Sequence, residues 1–179
     1  KKHSVMDMVW GISQIPIDEH AARLWTFCTP GALWRHRFLP MGPKQIPGIC
    51  QQFNDSRFGH LERTQVFVDD FHTGSGSFEE HMDDLEELLK LGREHGVQWR
   101  ITKCKFMHER CVLIGLECSE EGRRPDPGKV EALNVWPEPK VIADVVSQIQ
   151  FANYLREFIP RFQELDVRLK STTKKGATW

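Results

Sequence analysis

Apolar residues recur at Phe78, Met82, Leu85 and Leu89, three or four apart, with acidic side chains between them. This spacing predicts an amphipathic helix over Ser77 to His95 that buries those four residues and leaves Glu79, Glu80, Asp83 and Glu86 wet. Its ends are marked too: Ser77 and Glu80 form a capping box, Lys90 and Arg93 sit in the last turn, and Gly96 is placed to end the helix. Just before it, Gln65-Val66-Phe67-Val68-Asp69-Asp70-Phe71 is rich in β-branched and aromatic residues. It reads as a strand running into a tight hairpin, with Asp69-Asp70 at or near the turn.

From His3 to Gln65, short extended stretches alternate with turn signals at Thr29-Pro30-Gly31 and Pro40-Met41-Gly42-Pro43, which predicts strands and loops. Val5, Asp7 and Val9 share one face of an extended strand, setting Asp7 beside apolar neighbours. After Gly96, Val97 to Ile101 and Cys111 to Glu117 read as short strands. Asp126-Pro127 offers an N-cap and a first-turn proline to a helix that stops before Pro137. A longer helix follows over about Val141 to Phe158, with a stripe of Ile142, Val145, Val146, Ile149 and Ala152. The C-terminal third is therefore a small helical unit, and no repeat or low-complexity tract interrupts the order.

Composition narrows this only a little. With 40% hydrophobic and 27% charged residues, the 179-residue chain has the make-up of a globular protein with one good core or two small ones. Its apolar runs fall far short of the roughly 18 residues that span a bilayer, and Lys1-Lys2-His3 leads into no apolar signal region, so an intracellular protein with no membrane partner is expected. Five cysteines without paired spacing point to reduced thiols rather than a disulfide framework. A net charge of −1 gives no blanket affinity for nucleic acid. The halves differ, however: residues 1–99 carry 10 basic and 14 acidic side chains, and residues 100–179 carry 14 and 11, a basic bias that chance sampling also explains.

The sharpest candidate chemistry is a set of carboxylates, Asp7 on a strand and Asp69-Asp70 at a hairpin 62 residues later. Adjacent aspartates are common at turns because Asp bonds its own backbone. A carboxylate within an apolar strand is costly unless paired or metal-bound, and a two-metal site needs several carboxylates converging from separate segments. Cys104, His108, Cys111 and Cys118 lack the close Cys-x-x-Cys hooks of a structural zinc site, so half-buried thiols are the simpler reading. The six tryptophans and eleven phenylalanines offer stacking surface for bases, although most aromatics in such a chain are core. No Walker loop, Gly-x-Ser-x-Gly elbow or His-Glu-x-x-His helix is present, which removes the usual anchors for hydrolase and nucleotide-switch readings.

Taken in order, these segments resemble the reverse transcriptases of gypsy-type LTR retrotransposons from about Ser4 to Trp179. Ser4-Val5-Met6-Asp7-Met8 with Gly11 and Gln14-Ile15-Pro16-Ile17 is similar to the first palm motif, and Phe67-Val68-Asp69-Asp70 to the Tyr-x-Asp-Asp box. Thr29-Pro30, Leu39-Pro40-Met41-Gly42, Pro47 and Gln51 resemble the loop and helix lining the nucleotide pocket and template. Leu91-Gly92-Arg93-Glu94-His95-Gly96, Lys103-Cys104-Lys105-Phe106 and the primer-grip hairpin around Ile114-Gly115 and Ser119-Glu120-Glu121-Gly122 follow. Pro125-Asp126-Pro127, Trp136-Pro137, Ala152-Asn153-Tyr154 and Phe158-Ile159-Pro160 look like the thumb, and Lys174-Lys175-Gly176 with Trp179 like the link to RNase H.

The resemblance implies an α+β fold, an antiparallel palm sheet with packed helices over 1–121 that lacks the N-terminal fingers, then a small helical thumb over 122–179. It implies RNA-directed DNA polymerase activity, with Mg²⁺ (or Mn²⁺) held by Asp7, Asp69 and Asp70. Lys103 would donate to the leaving group or stand as a solvated strand lysine; Met8, Gly11, Ile12, Met41 and Gly42 would line the nucleotide pocket, and Ile114 and Gly115 the primer grip. Implied partners are a primed RNA or DNA template, deoxynucleoside triphosphates, and the RNase H and integrase regions of a parent polyprotein, in a cytoplasmic particle or the nucleus.

The departures are specific. Phe67 replaces the usual Tyr, Phe71-His72-Thr73-Gly74-Ser75 replaces an apolar strand, and Ser13 replaces a customary His. Ile12 replaces the aromatic residue that excludes ribose, which implies weaker sugar discrimination, and the stretch from Gln51 to Asp69 is about two residues short. The expectation is a fragment or a decayed copy. An inactive relic or host-retained interaction module is the alternative of another class, and a metal-dependent nuclease a third that leaves the thumb-like segment unexplained.

Overall fold

The strand containing Asp7, β1 (Lys2–Asp7), is followed by a 3₁₀ turn (Gly11–Gln14), α1 (Glu19–Leu24), β2 (Thr26–Thr29), β3 (Ala32–Arg35) and α2 (Ile46–Phe58). Next come β4 (Thr64–Phe67), β5 (Asp70–Ser75), α3 (Phe78–Glu94), β6 (Lys105–His108), β7 (Cys111–Leu113), β8 (Leu116–Ser119) and β9 (Gly122–Pro125). α4 (Pro127–Asn134), α5 (Ile142–Tyr154) and α6 (Phe162–Thr172) complete the chain. This computed structural model describes residues 1–173, so the stretch read as a link, Lys174-Lys175-Gly176 with Trp179, lies outside the described residues. Backbone contacts divide the chain into two units, Lys1–Leu113 with Cys118–Glu121, and Ile114–Glu117 with the residues from Gly122 onward. The architecture is α+β, as expected. Among the described residues no helix is long and apolar enough to cross a membrane.

In the first unit four strands form an antiparallel sheet of order β4-β5-β1-β6. The predicted hairpin is present, with Val68-Asp69 as its turn. Its return arm β5, which the pattern does not predict, is the better buried of the two, with Phe71, His72, Thr73 and Ser75 all inside. Polar residues are tolerated there because each finds a partner. Thr73 Oγ1 lies 2.9 Å from Thr64 Oγ1, His72 Nε2 lies 3.1 Å from His3 Nδ1, and Ser75 bonds His81 and Asp84.

Helix α3 has its predicted ends. The Glu80 N–H donates to Ser77 Oγ and the Ser77 N–H to Glu80 Oε2, both at 3.2 Å. Gly96, at φ 71°, closes the helix: its N–H donates to Arg93 O and that of Val97 to Gly92 O, the paired bonds of a Schellman end. The predicted buried face needs correction. His81, Leu85, Leu88 and Gly92 face the interior, while Phe78, Met82 and Leu89 are 54%, 47% and 42% exposed. A buried histidine rotates the stripe, because its two ring nitrogens are both satisfied by hydroxyls on the sheet.

Those bonds form a directed chain. The Met107 N–H donates to Ser4 Oγ, the Ser4 hydroxyl to His81 Nε2 over 2.7 Å, His81 Nδ1–H to Ser75 Oγ over 2.9 Å, and the Ser75 hydroxyl to Asp84. Asp84 also takes both arms of the Arg63 guanidinium at 2.8 Å, and that pairing holds its carboxyl below the usual carboxylate range. Only the neutral Nδ1–H tautomer of His81 fits this sequence of donors and acceptors.

Burial holds His3, His72 and His81 all below the ordinary imidazole value, His72 down to about 4. In the unfolded chain His72 charges near pH 6.5, so between 6.5 and about 4 the unfolded state binds the extra proton. The stabilisation is complete above pH 6.5 and is lost as pH falls towards about 4, an effect of roughly 2–3 kcal/mol from this residue. Urea unfolding at pH 7.0 and about 4.5 checks it. Equal loss of stability in the parent and in His72→Gln across that interval rules the effect out.

Two further expectations are corrected. The region read as strands and loops contains the helices α1 and α2; the latter buries Ile46, Cys50, Asn54 and Phe58 at spacings of four, a stripe that the polar Asn54 interrupts for an apolar count. Val97 to Ile101 contributes only a single bridge, Trp99 to Met8: Gln98 O and the Arg100 N–H pair with Val9 and Asp7, but the Gln98 N–H is taken by Gln14 and the Arg100 and Ile101 carbonyls turn to Lys103 and Cys104. The first unit thus has two cores, one of Met6, Met8, Phe58, Leu61, Phe71, Leu85 and Leu88, the other of Ile15, Leu39, Ile46 and Cys50.

In the second unit Asp126 caps α4, accepting from the Gly128 N–H at 3.1 Å, with Pro127 in the first turn as predicted. The long helix predicted to reach Phe158 stops earlier: α5 ends at Tyr154 and Arg156–Phe158 tightens into a 3₁₀ turn. Val145 and Ile149 of its stripe are buried, while Ile142 and Val146 are 45% and 37% exposed. Trp136 meets Phe151 edge-on at 5.2 Å, and the Lys129 ammonium lies 4.2 Å from the Tyr154 ring centre.

Candidate active site

Asp7 ends β1 and Asp70 begins β5, and the two are direct partners across the ladder. Asp69 occupies the turn, its carbonyl accepting from the Met8 N–H at 3.2 Å. The three aspartates singled out in the sequence therefore gather at one end of the β1–β5 pair. Asp7 lies on the half-open face of β1, with its side chain 20% exposed, rather than walled in by apolar neighbours. Arg100 Nε stands 3.6 Å from one of its carboxylate oxygens and Lys103 Nζ 3.7 Å from the other, while the Arg100 N–H donates to the Asp7 carbonyl at 2.8 Å. Burial, then repulsion from Asp69 and Asp7, pushes the Asp70 carboxyl up, against the opposing pull of Lys103.

The turn that carries Asp69 is strained. Val68 adopts φ 55°, a left-handed conformation costly for a β-branched residue, so its surroundings must impose it. Helix α2 supplies the restraint. Gln51 Oε1 accepts from the Val68 N–H at 2.8 Å, Gln51 Nε2 donates to Val66 O at 3.0 Å, and Asn54 Nδ2 donates to Val68 O. Cys50, whose thiol burial and then the Asp69 charge push up to about 11, packs behind them. Gln51 was visible in the sequence only as part of a likeness; Arg100 and Asn54 carried no signal, since their roles arise from contacts with distant segments.

Gly11 lies against this turn. A Cβ added there would sit 2.7 Å from Asp69 Cβ and 3.2 Å from Met8 Cβ, so no other residue fits unless the backbone moves. Gly11→Ala is expected to displace Asp69 and lower any catalysis that depends on it by about 100-fold, with little loss of folding. Rates beside a melting curve check this, and a parental rate for the variant excludes the assigned contact.

The remaining predicted residues scatter more widely. Met8 is buried in the first core at 2% exposure, and Ile12 packs against the second core. Met41, 59% exposed, and Gly42, at φ 121°, lie in the loop before α2, which Leu39 ties to Ile15 and Ile46. Ile114 and Gly115, at φ 46° and 69°, belong to the second unit, where a Cβ at Gly115 would collide with Lys129 and Tyr154. Of the cysteine-rich tract considered for zinc, Cys111 is gathered with His3 and His72 rather than with Cys104 and His108.

Carboxylate oxygens are the donors a hard divalent cation takes, and Asp7, Asp69 and Asp70 carry them on two strands and a turn, with oxygens that do not all lie within 4.8 Å of one another. Asp7, Asp69 and Asp70 are the residues that would hold it.

Comparison with known proteins identifies the family. Transposon 412 of Drosophila melanogaster encodes a retrovirus-related Pol polyprotein that is 29% identical over 179 residues, covering 98% of this chain and 14% of that protein. The Tf2-3 polyprotein of Schizosaccharomyces pombe is 26% identical over 164 residues, covering 90% of this chain and 12% of its own length. The chain thus spans about a seventh of the length of these curated relatives. Among solved structures, foamy viral protease-reverse transcriptase in complex with double-stranded DNA superposes with a TM-score of 0.88 at 22% identity, over 99% of this chain and 32% of that one. The same enzyme with an RNA/DNA hybrid gives 0.87 over 100% and 25%. The family model described as reverse transcriptase (RNA-dependent DNA polymerase) matches residues 2–136, and the chain belongs to that family.

Proposed function

We propose that this chain is the palm and thumb of a gypsy-type retrotransposon reverse transcriptase, extending a primer 3′-hydroxyl by attack on the α-phosphorus of a deoxynucleoside triphosphate. The observation that carries the reading is the meeting of Asp7, Asp69 and Asp70 at one end of the β1–β5 pair. Mg²⁺ or Mn²⁺, when bound, would neutralise phosphate charge and acidify the attacking hydroxyl. The protein's part is positional. Gln51 and Asn54 fix the turn that presents Asp69, and Gly11 lets the backbone approach it. Lys103 holds a proton at Nζ beside Asp7, where it can pass to the departing pyrophosphate oxygen, and Arg100 adds positive charge on the same side. On this reading residues 1–121 act as palm, with Ile114 and Gly115 as the primer grip, and 122–179 as thumb, and RNase H and integrase regions belong to the parent polyprotein.

The test joins this chain to the fingers of a related polymerase and supplies primed RNA, deoxynucleotides and Mg²⁺ or Mn²⁺. Extension dependent on template sequence is expected. If neither metal supports it in a folded chimera that still binds primed template, the relic reading replaces the polymerase. Ile12 packs into the second core, so pocket shape is tested separately by comparing deoxy- and ribonucleotides.

A further inference from the structure

Near the far end of β1 from Asp7, three buried residues from three strands come together. His3, His72 and Cys111 are 7%, 8% and 4% exposed, and one potential ligand atom from each lies within 4.8 Å of the others. Among the described residues this is the one His/Cys/Asp/Glu trio so gathered. His3 Nδ1 and His72 Nε2 are 3.1 Å apart. Two nitrogens bound at 2.0–2.1 Å to a tetrahedral ion are about 3.3 Å apart, so the pair already stands at ligand spacing. A hydrogen bond between the two rings accounts for that contact alone. The other ring nitrogen of His3, Nε2, is buried with no hydrogen-bond partner, so no second bond pins this ring in place.

We propose that His3, His72 and Cys111 form a site for a borderline-soft divalent cation of the zinc class, clasping β1, β5 and β7 together. The donor set selects against Mg²⁺ and Ca²⁺, which want oxygen, and in favour of Zn²⁺, which takes imidazole and thiolate. Three protein ligands leave one position. A solvent-open cavity lined by His3, His72, Glu62 and Gly74 gives the ion a path and the fourth position a water or a carboxylate oxygen. Burial keeps both imidazoles neutral at ordinary pH, the form that binds metal. Four strand steps run from His3 to Asp7, about 13 Å, so the site is distinct from the aspartate cluster. Its role is structural: it braces the return arm of the hairpin that carries Asp69 and Asp70, whether or not the chain polymerises.

Cobalt(II) is the probe, added to the metal-stripped chain. One equivalent is expected to produce a thiolate-to-cobalt charge-transfer band, bleached by one equivalent of Zn²⁺ and untouched by excess Mg²⁺. Cys111→Ser should abolish the band, and His72→Gln should weaken cobalt binding by about 100-fold, since loss of even an outer-shell partner costs roughly 10–100-fold. Asp69→Asn, Cys104→Ser and Cys118→Ser should keep it. Absence of the band in the parent chain overturns the proposal regardless of how the variants fold. A band that survives Cys111→Ser, or that vanishes only with Cys104→Ser or Cys118→Ser, overturns it as well.

Discussion

Asp69→Asn is expected to reduce templated primer extension at least about 10³-fold while leaving the melting temperature unchanged or slightly raised. The side chain keeps its size, so the turn held by Gln51 and Asn54 loses nothing in packing. The charge is what disappears. A neutral amide cannot hold a divalent cation against the charge developing on phosphate, and it removes one of the two neighbours that push the Asp70 carboxyl up. The Asp70 titration should therefore move down in the variant, a spectroscopic readout independent of turnover. Single-turnover extension by the fingers-bearing chimera, measured beside that titration, decides the matter. Parental rates from Asp69→Asn would remove the carboxylate mechanism, whatever the family.

Phe71→Ala is expected to cost about 3–5 kcal/mol of folding stability, against under about 0.5 kcal/mol for Phe67→Ala on the other arm of the same hairpin. Phe71 is fully buried and meets Phe58 and Trp99 edge-on, each with ring centres 5.0 Å apart. Its loss opens a cavity at the centre of the first core, lined by rings that cannot all relax inward. Phe67 is 53% exposed and leaves no such void. Because Phe71 follows Asp70 in β5, the cavity should also loosen the aspartate cluster. Urea midpoints for the two variants test the contrast, and similar small losses would mean that the core is not organised around Phe71.

The elements read correctly from sequence are those whose signals act within a few residues. The capping box of Ser77 and Glu80, the Gly96 helix end, the Asp126-Pro127 start and the Asp69-Asp70 turn each concern groups within a turn of one another. Local backbone chemistry specifies them, whatever the rest of the chain does. The three aspartates were legible for a related reason: strand pattern and turn residues mark where each must sit, and the family likeness says that they meet.

Tertiary structure decided the rest. The buried face of α3 turns on His81, whose partners Ser4 and Ser75 lie 77 and six residues away, so no count of apolar positions in the helix could place it. The polar arm β5 is buried because His3, Thr64, His81 and Asp84 satisfy it from three other segments. Gln51 and Asn54 matter only because α2 lies against the Val68 turn, and Arg100 only because its loop folds back on Asp7. The trio of His3, His72 and Cys111 spans nearly the whole first unit. Local periodicity registers which residues avoid water, but a buried polar group avoids it only with a partner, and partners distant in sequence exist only once the chain has folded.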